Sequence, residues 1–140
     1  MELFDFFKSE SNKLSIDLSD FKFTSSRHSR IENGNVTGSV DDCWRGIYIK
    51  SDPNNINSYL VTTYNLDENH SLWGNNIQMA PKQMKIEKNS NNNIVLRGYG
   101  RDISGTLFSD YGIILLLENN NVTKVILQMF DRNTELHYSK

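Results

Sequence analysis

The sequence predicts an all-β domain: an antiparallel β-sandwich or partly open barrel with one short N-terminal helix. Three observations predict it. Apolar and polar residues alternate with the period of a strand along most of the chain. About ten such segments follow one another at spacings of roughly 8–12 residues, as in sandwiches and barrels. Their separators are rich in turn formers, and eighteen Asn stand against a single Ala, Ala80, which argues against a helical bundle.

The N-terminus alone reads as helix. Leu3, Phe6, Phe7 and Leu14 share a face, giving a short amphipathic helix over roughly residues 2–12. A helix that short is marginal alone, so it is expected to dock on a sheet face or an open barrel end, burying Phe4, Phe6 and Phe7. Leu14–Phe23 then alternates like a strand, with a register change at Ser19-Asp20. Asn33-Gly34, between Ser29–Glu32 and Asn35–Gly38, is the signature of a type I′ hairpin. Further strands are expected at Trp44–Lys50, Ser58–Leu66, Ile77–Lys88 (interrupted at Pro81), Asn93–Tyr99, Asp102–Phe108, Gly112–Glu118 and Val122–Phe130. Ile113–Leu117 and Val125–Phe130 are nearly continuous apolar runs, the pattern of a central hairpin covered on both faces.

A chain of 140 residues suits one domain, 1–140, and buries roughly two-thirds of its surface on folding. Its net charge of −2 marks no general affinity for nucleic-acid phosphates. The lone Cys43 forms no intrachain disulfide. Acids at Glu2 and Asp5 interrupt the apolar start, so no secretory signal is read, and Ile113–Leu117 is far too short to span a bilayer. A soluble, cytoplasmic protein with no membrane association is expected.

No spacing dictates a chemistry. His28, His70 and His137 form no ligand motif, so no metal or cofactor is expected. Cys43 follows Asp41 and Asp42, which would raise rather than lower a thiol pKa, and no enzyme activity is expected. Gly98, Gly100 and Gly105 lie in strand-like surroundings, where glycines mark bulges or barrel corners rather than phosphate loops. Two binding alternatives remain open. A β-barrel can enclose a small apolar ligand. Arg27, His28 and Arg30, or Tyr99 between Arg97 and Arg101, could stack and pair with single-stranded nucleic acid.

The segment Asn65–Asn76 is long and polar and sets acids around Trp73. Tryptophan often dominates interface energetics, and acidic loops on a β scaffold suit a basic partner such as a nuclease active site. The expected partner contacts are Asp67, Glu68 and Trp73, with Asp41 and Asp42 as a second edge. The block Asp110–Glu118, followed by Val125–Asn133, is similar in character to immunity proteins of bacterial toxin systems, including contact-dependent growth inhibition. The resemblance implies a protein that binds a cognate toxin and neutralises it by occluding its active site. The oligomeric state stays open.

Overall fold

The structure, a computed structural model, describes residues 14–66, 77–101 and 104–140. The expected helix over residues 2–12 lies outside the described residues. Eight strands follow in order: β1 Asp20–Glu32, β2 Asn35–Ser51, β3 Ser58–Asn65, β4 Ile77–Asn89, β5 Asn93–Arg101, β6 Leu107–Glu118, β7 Asn121–Met129 and β8 Thr134–Ser139. Each pairs antiparallel with its neighbour, and β8 pairs back onto β1 from Arg27↔Ser139 to Glu32↔Thr134. The all-β expectation holds, but the barrel is closed; it is neither a sandwich nor partly open. The closing strand is the reason. Thr134–Ser139 is six residues long and was not among the expected strands. Without it β1 and β7 would be edges; with it every strand has two partners.

The expected ten strands are eight because three boundaries dissolve and β8 adds one; the expected Asp102–Phe108 and Gly112–Glu118 meet in a single strand, β6. The arm Asn35–Gly38 and the segment Trp44–Lys50 are one continuous strand, β2. β1 likewise runs from Asp20 through the hairpin arm, bending at a register shift between Ser25 and Arg27. Leu14–Leu18 is not a strand. It bends across one end of the barrel, placing Leu18 in the core and packing Leu14 and Ile16 against it. The Asn-Gly hairpin is as expected, with φ of 51° at Asn33 and 83° at Gly34. Asn is the default non-glycine residue where φ is positive here: Asn33, Asn57, Asn119, Asn120 and Asn133 all adopt it, so the Asn-rich separators do turn the chain.

The core fills the barrel from the end where β2 hands over to β3. Ile47, Ile49, Val61, Ile94, Leu96, Ile113, Leu115 and Val125 have no exposed surface. The β6–β7 pair is covered on one face rather than two. Ile113, Leu115 and Leu117 point inward, while Ile114 and Leu116 between them lie half-buried on the outside. Ile114 stands in register between Val95 and Ile126, which makes an outer apolar row. A closed barrel has one interior, so a strand buries alternate residues only. Among the described residues, no helix is long and apolar enough to cross a membrane.

Candidate functional site

The barrel's two ends differ in chemistry, and the bulge in β1 is where the change begins. Before it, Phe21, Phe23 and Ser25 face inward. After it, the inward parity passes to His28 and Arg30, because His28 pairs with the buried Tyr138 and Arg30 with Leu136. Across the ladder, Ser25 faces Arg45. Polar and cationic side chains therefore replace the aliphatic filling toward the end that carries the Asn33-Gly34 hairpin, the last residues of β3 and the turn at Phe130–Arg132. This end is called the mouth below.

At the mouth lies a cavity of about 300 Å³, walled on one side by Met79, Leu127, Met129 and Leu136. Its polar lining is Arg30, Thr63, Gln78, Tyr111, Arg132 and Tyr138. Tyr138 is 1% exposed, yet among the described residues its hydroxyl has no hydrogen-bond partner. Ser25 Oγ, His28 Nδ1 and Arg45 Nε nearby are likewise buried, with no hydrogen-bond partner among the described residues. Burial pushes the Tyr138 hydroxyl up to about 12, against the opposing pull of the Arg45 and Arg30 guanidiniums. It is therefore a neutral O–H donor at neutral pH. Burial also lowers the His28 pKa, with Arg45 adding to the effect. His28 thus favours its neutral form, and its ring lies 6.1 Å from that of Tyr138.

The rim is set by short-range pairing. Arg30 Nε meets Glu32 Oε1 at 2.9 Å, and Thr37 Oγ1 donates to the same carboxylate oxygen at 2.8 Å. The Thr37 hydrogen bond is the main reason the Glu32 carboxyl lies below its ordinary range, with Arg30 assisting. Deeper in, Arg45 Nη1 donates to the Trp44 carbonyl at 3.1 Å.

A second groove, of about 480 Å³, runs down the barrel side where β4 leaves β5. Their ladder stops at Lys85↔Arg97. Gly98 is required just beyond: a Cβ there would stand 2.9 Å from the Gln83 carbonyl oxygen. Two of the groove's cations, Arg97 and Lys82, are already engaged. Arg97 pairs with Glu87 at 3.2 Å and lies over the Phe130 ring, and Tyr99 donates to Glu87 at 3.4 Å. Lys82 Nζ sits 4.5 Å from the Tyr111 ring centre.

Of the sequence-predicted contacts, Asp67, Glu68 and Trp73 lie outside the described residues. Asp41 is exposed on the outer face of β2 and pairs with Arg27 at 3.2 Å. Asp42 follows it on the same strand. The Arg27-His28-Arg30 cluster is split by the barrel wall, Arg27 facing out and the other two in. Cys43 is a half-buried free thiol on β2. No three His, Cys, Asp or Glu side chains among the described residues gather as a metal set.

Arg45 and Tyr138 were missed as site residues, although the signal for Arg45 was present. It shares the inward parity of Ile47 and Ile49, and a cation on the buried face of a strand needs a reason. Tyr138 belongs to the strand that sequence periodicity passed over. Compared with known proteins, the chain matches no family model, no curated protein and no solved structure.

Proposed function

We propose that this is a non-catalytic immunity protein, acting in the cytoplasm, that binds a cognate toxin at the mouth end and neutralises it by occluding the toxin's active site. One juxtaposition carries the reading. Leu66, from which the acidic 67–76 connection departs, donates its N–H to the Trp44 carbonyl at 3.1 Å. Asp41 and Asp42 lie just upstream of Trp44 on β2. The last described residue before the acidic 67–76 segment is thus bonded to the strand that carries Asp41 and Asp42, 25 or more residues earlier in sequence than Asp67. Acids gathered there would speed encounter with a basic toxin surface. A ladder that closes on itself offers a backbone that need not reorganise on binding.

The two alternatives draw less support. A lipid-sized apolar ligand finds the hydrophobic half already filled by side chains with no exposed surface. A single strand of nucleic acid would meet Arg27, Arg97 and Tyr99 already committed to Asp41 and Glu87. The direct test is growth of a bacterium expressing a toxin encoded beside this gene. Co-expression of this chain should restore growth, and failure to do so sinks the reading. In the purified pair, replacing Asp67 and Glu68 with Lys should slow association, most visibly at low salt. Trp73→Ala should weaken binding by about 2 kcal/mol or more.

A further inference from the structure

We infer that the mouth cavity binds a small carboxylate bearing a short apolar tail, its oxyanion on the Tyr138 hydroxyl and the Arg30 guanidinium. The inference rests on the barrel interior alone and is independent of the toxin reading.

The first support is an unsatisfied donor. Buried polar atoms are nearly always hydrogen-bonded, because leaving one bare costs the full desolvation of that group. Tyr138 is 1% exposed, lines the cavity and has no partner for its hydroxyl among the described residues. A protonated phenol donates, so the partner it awaits is an acceptor.

Charge selects the acceptor's sign. Arg30 and Arg132 line the same cavity, and Arg45 lies close enough to Tyr138 to act on its hydroxyl. No carboxylate lines the cavity among the described residues; Glu32 is held by Thr37 and engages Arg30 through Nε. That leaves the two Nη groups of Arg30 available as a fork, the geometry that matches a planar carboxylate. Asp131 stands only 3.9 Å from Arg132 Nε and is exposed, so Arg132 contributes field rather than a fixed contact.

Shape and lining select the rest of the ligand. A volume of about 300 Å³ corresponds to roughly ten waters at their liquid share, the size of a carboxylate with a medium-length alkyl chain. Met79, Met129 and Leu136 supply the apolar wall, and methionines adapt to tails of differing shape. A purely apolar ligand would leave the arginines and Tyr138 bare. An inorganic anion would leave the apolar wall wet.

Titration calorimetry and thermal melts of the full chain with octanoate, using octanol as the neutral counterpart, test this. Octanoate should bind saturably and raise the melting temperature, with octanol at least about tenfold weaker. Tyr138→Phe should weaken octanoate binding about tenfold while leaving the ligand-free melting temperature unchanged or higher, since the lost hydroxyl had no partner. Should the phenylalanine variant fold poorly, Arg30→Gln at the exposed rim carries the same expectation. Equal affinity for octanoate and octanol overturns the inference, as does the absence of saturable octanoate binding. Octanoate affinity untouched by Arg30→Gln overturns it too.

Discussion

The filled end and the mouth are made by the same eight strands, yet they spend their interiors differently. At the filled end, inward positions are aliphatic and reach 0% exposure at Ile47, Ile49, Ile94, Ile113 and Leu115. At the mouth, the same parity carries His28, Arg30, Arg45 and Tyr138, several with buried polar atoms lacking partners. The first arrangement stabilises through transfer of apolar surface from water. The second costs stability, because these desolvated polar groups find no partner among the described residues. Where a fold keeps such groups against its own stability, binding is the natural reason. The contrast therefore teaches where to look for function in a barrel without catalytic motifs.

The largest expected effect tests the filled end. Leu115→Ala removes a side chain with no exposed surface and leaves a cavity that closed ladders cannot collapse into. Denaturant unfolding should report a loss of about 3–4 kcal/mol. Leu136→Ala at the half-buried mouth should lose roughly half as much or less. Equal losses would break the comparison, because the mouth would then be packed as tightly as the core.

The next effect belongs to the mouth and appears at high pH. Tyr138 titrates at about 12 in the folded chain and near its ordinary 10 when unfolded. The raised value means the fold holds the neutral phenol. Its contribution is complete below pH 10 and is lost as pH rises toward 12, because the unfolded chain releases its proton first. Two pH units correspond to about 2–3 kcal/mol. Unfolding free energy measured from pH 9 to 12 should therefore fall more steeply than in Tyr138→Phe. Parallel slopes would place the hydroxyl in water.

How much of this was legible depends on which signal each region carried. The Asn33-Gly34 hairpin, the positions of β3 and β5 and the Asn-rich turns needed only local chemistry, and all were readable. The closure was not. Thr134–Ser139 does alternate, with Leu136 and Tyr138 inward, but six residues after a 3-10 turn give little periodicity to count. The mouth was obscured for a related reason. A bulge exchanges the faces of a strand, so the inward parity of Phe21 and Phe23 does not extend to His28 and Arg30. Simple alternation across Ser26 would assign those two residues to solvent. The acidic connection was conspicuous by composition, and so was the Asp41-Asp42 pair, but composition did not reveal that Arg27 faces Asp41.

A smaller effect probes the hairpin that forms one lip of the mouth. Gly34 has a φ of 83°, and a Cβ there meets nothing within 4 Å. Gly34→Ala is thus a purely backbone change, with a strain of about 1 kcal/mol for the left-handed conformation. Chemical denaturation should show that loss, while binding of octanoate should stay within about twofold, since the residue is outside the cavity lining. A large loss of binding would mean the lip and the cavity act as one unit.

The smallest expected effect on stability is also the sharpest separation of stability from recognition. Asp41 and Arg27 form an ion pair with side chains 69% and 60% exposed. Pairs that open to water gain little, because screening and side-chain entropy offset the attraction. Asp41→Asn should change unfolding free energy by less than about 0.5 kcal/mol. It removes a negative charge from β2 and leaves the charge of Arg27 uncompensated. Association with a basic toxin should therefore slow at low salt and recover as salt shortens the Debye length to about 8 Å or less. Dissociation should barely change, because an exposed rim charge steers encounter rather than holding the complex. A stability loss above 1 kcal/mol would make this pair part of the barrel's structure rather than its charged edge. An unchanged association rate would move the toxin-facing surface away from β2 and leave the mouth cavity as the binding feature of that end.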